Sequence, residues 1–362
     1  MRKPNLHILG LFHTIPNHDY STCAFTTKVR NFSKMMNLYG FNTIEYANEG
    51  SLSDAKEKVV ILKKEEFKKI TKKPNSLAFQ VAEINSKLHL IFQNKLIKEI
   101  INRAEDGDII CHPFAHTHKI LIDILPNCYH VETGIGYPDG DFGAFRIFES
   151  YAWMHYHQGK ENRNGHFYEW VVPNYFDTSK YEPSYKKGDY LIYFGRIIEN
   201  KGLEIVKKIA ENINIEVRLY GDGDKEKYYG KNMHFYDAIR GNEKDKSNVL
   251  KKAKAILMPT LYTEPFGGSG IEATLCGTPI ISTDYGAFTE TVLHGINGYR
   301  CHTLGDFLNA VEEVDSLDRK VVSDIAMERY SMETIGAKYN SIFRQISDLS
   351  REGWNNKKSF FI

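Results

Sequence analysis

Short apolar runs alternate with longer helical segments along this chain, and the alternation starts twice. In the first half, residues 6–10, 42–46, 108–111 and 128–132 read as strands, and residues 25–39, 86–104 and 119–125 as helices. Residues 145–157 read as a further, aromatic-rich helix, and residues 171–177 as a crossing segment. Strands that alternate with helices imply parallel pairing through crossover connections, with helices on both faces of each sheet. Ligands of such sheets bind outside the carboxyl ends of the strands.

A polar stretch at 178–187, with Pro183, Ser184 and three lysines, interrupts the pattern. It then restarts with strands at 190–194, 216–220, 255–258 and 279–282 and helices at 202–212 and 247–254. The 362 residues also exceed what one hydrophobic core usually organises. The fold class is therefore α/β, with two doubly wound, Rossmann-like domains. The expected boundaries are 1–178, 179–340 and a C-terminal helix or tail at 341–362 packing toward the first domain.

Charge and cysteine content exclude several classes. A formal net charge of +1 supplies no global field for nucleic acid. Cys23, Cys111, Cys128, Cys276 and Cys301 are widely spaced, which fits reduced core thiols better than disulfides or a zinc site. No apolar run of membrane-spanning length and no signal-peptide pattern is found, so a cytoplasmic protein is expected. Residues 56–73 are rich in lysine; they read as a basic amphipathic helix, either a solvated face or a peripheral contact with a membrane or polyanion.

The chemistry concentrates near residue 264. Glu264 and Glu272 flank a turn containing Gly267, Gly268 and Gly270, and a helix starts at about Ser269. Glycines let the backbone approach a ligand, and a helix N-terminus suits a phosphate. Arg196 and Lys201 sit after the first strand of the second domain, where a guanidinium fork and a mobile ammonium could hold a diphosphate. In the first domain, His112, His116 and His118 follow a strand. They are candidates for an active site, loop packing or, less readily, a metal cluster. Asp139-Gly140-Asp141 and Asp222-Gly223-Asp224 read as turns rather than metal sites.

Gly195-Arg196, Lys201-Gly202, Gly221-Asp222-Gly223, the Glu264 to Glu272 spacing and Gly277-Thr278-Pro279-Ile280 occur in one order. Together they resemble the retaining GT-B glycosyltransferases of group 1, or family 4, and Pro173-Asn174-Tyr175-Phe176-Asp177 is similar to the segment before their second domain. The resemblance implies two domains facing across a cleft and a UDP-, GDP- or ADP-sugar donor, with no tightly bound cofactor and no required divalent metal. Arg196 and Lys201 then neutralise the diphosphate, Glu264 faces the donor sugar, Glu272 bonds the ribose, and Phe266, Gly267 and Gly268 touch sugar and phosphate. Backbone near 235–239 would meet the base. His112, then His116, would serve the acceptor side, with Ser21 and Thr22 where the family commonly has a glycine pair. The acceptor would be hydroxylated, most readily a carbohydrate. A nucleotide-sugar epimerase, a transferase acting on DNA, a glycoside hydrolase and a non-catalytic nucleotide binder remain alternatives.

Overall fold

Leu6, Ile8 and Leu9 are buried together with His7, as expected of a strand covered on both faces. The computed structural model describes residues 2–71, 83–241 and 243–349. The first sheet contains β1 (Asn5–Leu9), β2 (Asn42–Ala47), β3 (Glu57–Val60), β4 (Ile109–His112), β5 (Tyr129–Ile135), β6 (Phe145–Phe148) and β7 (Glu169–Val171). They lie in the order β3-β2-β1-β4-β5-β6-β7, every pair parallel. The second sheet contains β8 (Tyr190–Phe194), β9 (Val217–Tyr220), β10 (Met233–Tyr236), β11 (Ala253–Met258), β12 (Ile280–Thr283) and β13 (Gly298–Cys301). Its order is β10-β9-β8-β11-β12-β13, again parallel throughout. Strand order reverses beside β1 in one sheet and beside β8 in the other, which opens a crevice at the carboxyl ends of β1/β4 and of β8/β11.

Helices cover both faces. In the second sheet, Val206, Ile209 and Ala210 of the helix Leu203–Asn212 pack on Leu191, Val217 and Leu219. On the opposite face Ile271 and Leu275 of the helix Gly268–Leu275 pack with Ile192, Ile256 and Ile280. In the first sheet, Phe92, Leu96 and Ile100 of the helix Lys87–Ile101 cover Leu9, Ile44 and Ile110. Among the described residues no helix is long and apolar enough to cross a membrane.

Three expected helices are corrected. Residues 145–148 form strand β6, all four of them buried, and the helix that follows is Tyr151–Lys160. A short apolar run does not reveal its own period, and this one is sandwiched from both sides. The lysine-rich stretch is divided: β-branched Val59 and Val60 end the edge strand β3, and only Lys64–Thr71 is helical, with Phe67 as its buried residue. Lys72 and Lys73 lie outside the described residues. The helix expected at 247–254 runs instead over Glu243–Leu250, because Ala253 already belongs to β11.

The chain divides into two compact units: Met1–Glu149 with His157–Asn174 and Met332–Ile362, and Ser150–Tyr156 with Tyr175–Ser331. The last described helix, Met332–Asp348, thus belongs to the first unit. Its Phe343 meets Phe41 edge-on at 5.7 Å and Phe32 at 6.5 Å, and its Tyr339 meets Phe32 at 5.2 Å. Phe343 is fully buried. Phe343→Ala is expected to destabilise the first unit by about 3–5 kcal/mol, the range for truncating a core phenylalanine; urea denaturation will measure it, and a change under 1 kcal/mol would contradict this packing.

Candidate active site

Backbone contacts at the carboxyl ends of β8 and β11 position the charged side chains of the second unit. The turn after β8 is drawn onto β9: Gly195 N–H donates to the Tyr220 carbonyl at 3.0 Å and Ile197 N–H to the Asp222 carbonyl at 2.8 Å. A Cβ on Gly221 would stand 1.8 Å from the Gly195 carbonyl oxygen, so no larger residue fits. The chain then makes the 3₁₀ turn Glu199–Lys201 and enters the helix through Gly202, at φ 77°. A Cβ there would stand 1.8 Å from the Pro259 carbonyl oxygen. Leu261 N–H donates to the Asn200 carbonyl at 2.8 Å, fastening the loop after β11 to the loop after β8.

That fastening brings Lys201 and Glu264 together. Lys201 Nζ lies 2.6 Å from Glu264 Oε2, and both side chains are largely buried. The Tyr262 hydroxyl donates to the same oxygen at 2.8 Å, and the Lys201 ammonium lies 4.8 Å from the centre of the Tyr262 ring. Tyr193 donates its hydroxyl to the Arg196 carbonyl at 2.5 Å. Arg196 is exposed, and its charge acts on the phenols of both Tyr193 and Tyr262. Burial, aided by the negative charge of Glu264, holds both phenols far above the ordinary tyrosine range.

The glycine turn follows. Gly267 takes φ 82° as the N-cap of the helix Gly268–Leu275, while Phe266 is buried edge-on against Tyr330 at 5.6 Å. Glu272, within that helix, accepts from the Tyr181 hydroxyl and from Lys246 Nζ, each at 3.0 Å and each on Oε1. Burial and the neighbouring Glu272 raise the Tyr181 phenol well above its usual range. Lys246 also lies 5.8 Å from the ring of Phe194. Phe194, Tyr220 and Tyr236 end β8, β9 and β10 in register, stacked at 6.1 and 4.7 Å. The backbone expected to meet a base, near 235–239, therefore begins at the end of β10. Asp222 is paired with Arg240 at 2.6 Å.

In the first unit the three predicted histidines take different partners. His112 ends β4, is buried, and lies 3.0 Å from His130 through Nε2 and Nδ1. Burial, with His130 and His118 nearby, pushes its pKa well below the ordinary value. It lines a recess with Pro113, Ala115, Glu132, Gly134 and Tyr137. His116 is exposed, with Nδ1 at 3.1 Å from the Asp139 carbonyl, and His118 donates to the Gly10 carbonyl at 3.1 Å. Among the described residues no group of three or more His, Cys, Asp or Glu side chains could hold a metal ion. Glu132 accepts three backbone N–H groups, from Asp141, Phe142 and Gly143 at 2.8 to 2.9 Å, and so shapes the 139–143 turn. Asp141 itself is paired with Arg146 at 2.6 Å and with Arg163. Ser21 and Thr22 lie between β1 and the helix Ala24–Leu38, with Ser21 N–H bonded to the His18 carbonyl at 3.2 Å.

Sequence reasoning missed Tyr262, Tyr193, Tyr181 and Lys246. Only the position of Tyr262, two residues before Glu264, was available as a signal.

Residues 176–317 match the family model described as glycosyl transferases group 1. Over these residues the chain is similar to group 1 glycosyl transferases. A glycosyltransferase of Methanocaldococcus jannaschii, MJ1607, is 28% identical over 121 residues, 30% of each protein. The similarity thus spans under a third of that relative's length. Over nearly the whole chain the fold is that of GT-B enzymes: sucrose-phosphate synthase from Thermosynechococcus elongatus superposes with a TM-score of 0.69 at 15% identity, covering 95% of this chain and 99% of that one. Anabaena Alr3699/HepE, solved in complex with UDP and glucose, gives 0.65 at 14% identity, covering 94% and 99%.

The buried histidines of the first unit predict an acid-sensitive fold. Burial lowers His13 and His118 to about 4, against 6.5 for a free imidazole. Between these values the unfolded chain binds more protons than the folded one. Stability should therefore fall as pH drops from about 6.5 toward 4, by up to about 1.4 kcal/mol per pH unit for each histidine. Denaturant midpoints across that window, compared with those of His118→Gln, will check this: the variant should show a shallower slope, and an identical one would count against His118.

Proposed function

We propose that this protein transfers a sugar, with retention at the anomeric carbon, from a nucleoside diphosphate sugar to a hydroxyl acceptor. The observation that carries the reading is the Lys201–Glu264 pair beside Arg196, at the carboxyl ends of β8 and β11, followed by the glycine turn and a helix N-terminus. Departure of a nucleoside diphosphate builds negative charge on phosphate and positive character on the sugar. Fixed cations and N–H dipoles stabilise the former, which makes electrostatic preorganisation the main catalytic resource. Arg196, Lys201 and the first N–H groups of the helix Gly268–Leu275 would take the diphosphate, with Phe266, Gly267 and Gly268 alongside it. Glu264 would accept hydrogen bonds from the donor sugar and Glu272 from the ribose.

The first unit would supply the acceptor side. His112, neutral through burial and lining the recess with Glu132 and Tyr137, is the favoured residue there; His116, Ser21 and Thr22 are further candidates. A carbohydrate acceptor is preferred over DNA because the net charge is only +1. UDP is the first donor nucleotide to test, because a protein of similar fold has been solved with UDP and glucose. No divalent metal is required by this reading, since the two basic side chains face the diphosphate. A nucleotide-sugar epimerase would use the same donor residues without an acceptor. A glycoside hydrolase leaves Arg196 and Lys201 without a task.

A thermal-shift panel of UDP-, GDP- and ADP-sugars identifies the donor, and product analysis with acceptors separates transfer from epimerisation. Glu264→Gln and Lys201→Ala should each slow transfer at least tenfold, on the order of 1.4 kcal/mol of barrier; wild-type rates in both would sink the proposal. His112→Ala should lower turnover while nucleotide binding survives, and an unchanged turnover would move the acceptor-side role elsewhere.

A further inference from the structure

We infer that Tyr262 is a positioning residue that keeps the Glu264 carboxylate hydrogen-bonded when Lys201 turns from it to the diphosphate of a donor. The inference rests on the donor-binding reading above and assigns a task to a side chain that reading leaves idle.

Lys201 Nζ, 2.6 Å from Glu264 Oε2, has much of its charge neutralised by that carboxylate. A diphosphate must therefore compete with Glu264 for the ammonium. If Lys201 moved away with nothing in its place, a largely buried carboxylate would lose its counter-charge, a strongly unfavourable change. Tyr262 offsets part of this cost, because its hydroxyl already donates to Oε2 at 2.8 Å. A phenol hydrogen bond to a carboxylate is charge-assisted, and it draws electron density from the oxygen that Lys201 must release. The Tyr262 ring, 4.8 Å from Nζ, offers the ammonium an aromatic face close to its present position.

Two further observations single out this tyrosine. Leu261 N–H bonds the Asn200 carbonyl at 2.8 Å, so the neighbours of Tyr262 and of Lys201 are joined directly and the three side chains share one backbone frame. Tyr193, the other phenol influenced by Glu264, directs its hydroxyl to the Arg196 carbonyl and does not replace Tyr262.

The test is a double-mutant cycle read by calorimetric titration with UDP, and with GDP and ADP in parallel. Tyr262→Phe keeps the ring and removes the hydroxyl. It should weaken nucleoside diphosphate binding about fivefold, roughly 1 kcal/mol, because Lys201 is then held more firmly by Glu264. In Glu264→Gln the neutral amide no longer holds the ammonium, so adding Tyr262→Phe there should change affinity by less than about twofold. Equal losses in both backgrounds, or no loss in either, would overturn the role of Tyr262 and leave the donor site standing. A wild type that binds none of the three nucleotides would overturn the donor-binding reading itself, and this inference with it.

Discussion

One close approach of backbone to backbone organises the second unit: the Pro259 carbonyl against the Cα of Gly202, secured by the hydrogen bond from Leu261 N–H to the Asn200 carbonyl. β8 and β11 are neighbours in the sheet, so the loops leaving them are already adjacent. Only a residue without Cβ, tolerant of φ 77°, lets them touch. Once they touch, Lys201 and Glu264, distant in sequence, fall within hydrogen-bond reach without any further device. The charged pair is thus a product of sheet order and one glycine, which explains how flexible side chains are held in a defined arrangement.

The same economy governs the first unit, where carboxylates rather than glycines hold the loops. Glu132 accepts three successive N–H groups and pins the 139–143 turn. Lys28 is bonded to the Gly134 carbonyl at 2.8 Å and paired with Glu149, both side chains buried. Buried charges of this kind are tolerated only when fully partnered. They rigidify the carboxyl edge of the first sheet, where His112 lies.

Most strands were legible because their β-branched and apolar runs are bounded by turn residues, and the helix Leu203–Asn212 because its apolar positions repeat at helical spacing. Phe145–Phe148 was misread because a strand buried on both faces has no alternation to show, and its neighbour Tyr151–Lys160 also carries aromatic residues. β3 was hidden by lysines, which an edge strand carries readily. At the candidate site, Glu264, Glu272, Arg196 and Lys201 stood out by charge and spacing beside glycines. The tyrosines did not. Tyr262 and Tyr193 matter through where a hydroxyl points, and Lys246 through a helix that starts four residues earlier than expected, none of which a periodic pattern encodes.

The packing of Met332–Asp348 onto Phe32 and Phe41 bears on the order of events during synthesis. Phe32 and Phe41 are made well before Tyr339 and Phe343, which cover them. The intervening unit must be translated before that apolar face can close, a delay on the order of ten seconds or more at typical elongation rates. Through that interval the helix Ala24–Leu38 and Phe41 carry an open hydrophobic seam. A chaperone would shield the seam during that interval, and truncation before Met332 would make the exposure permanent.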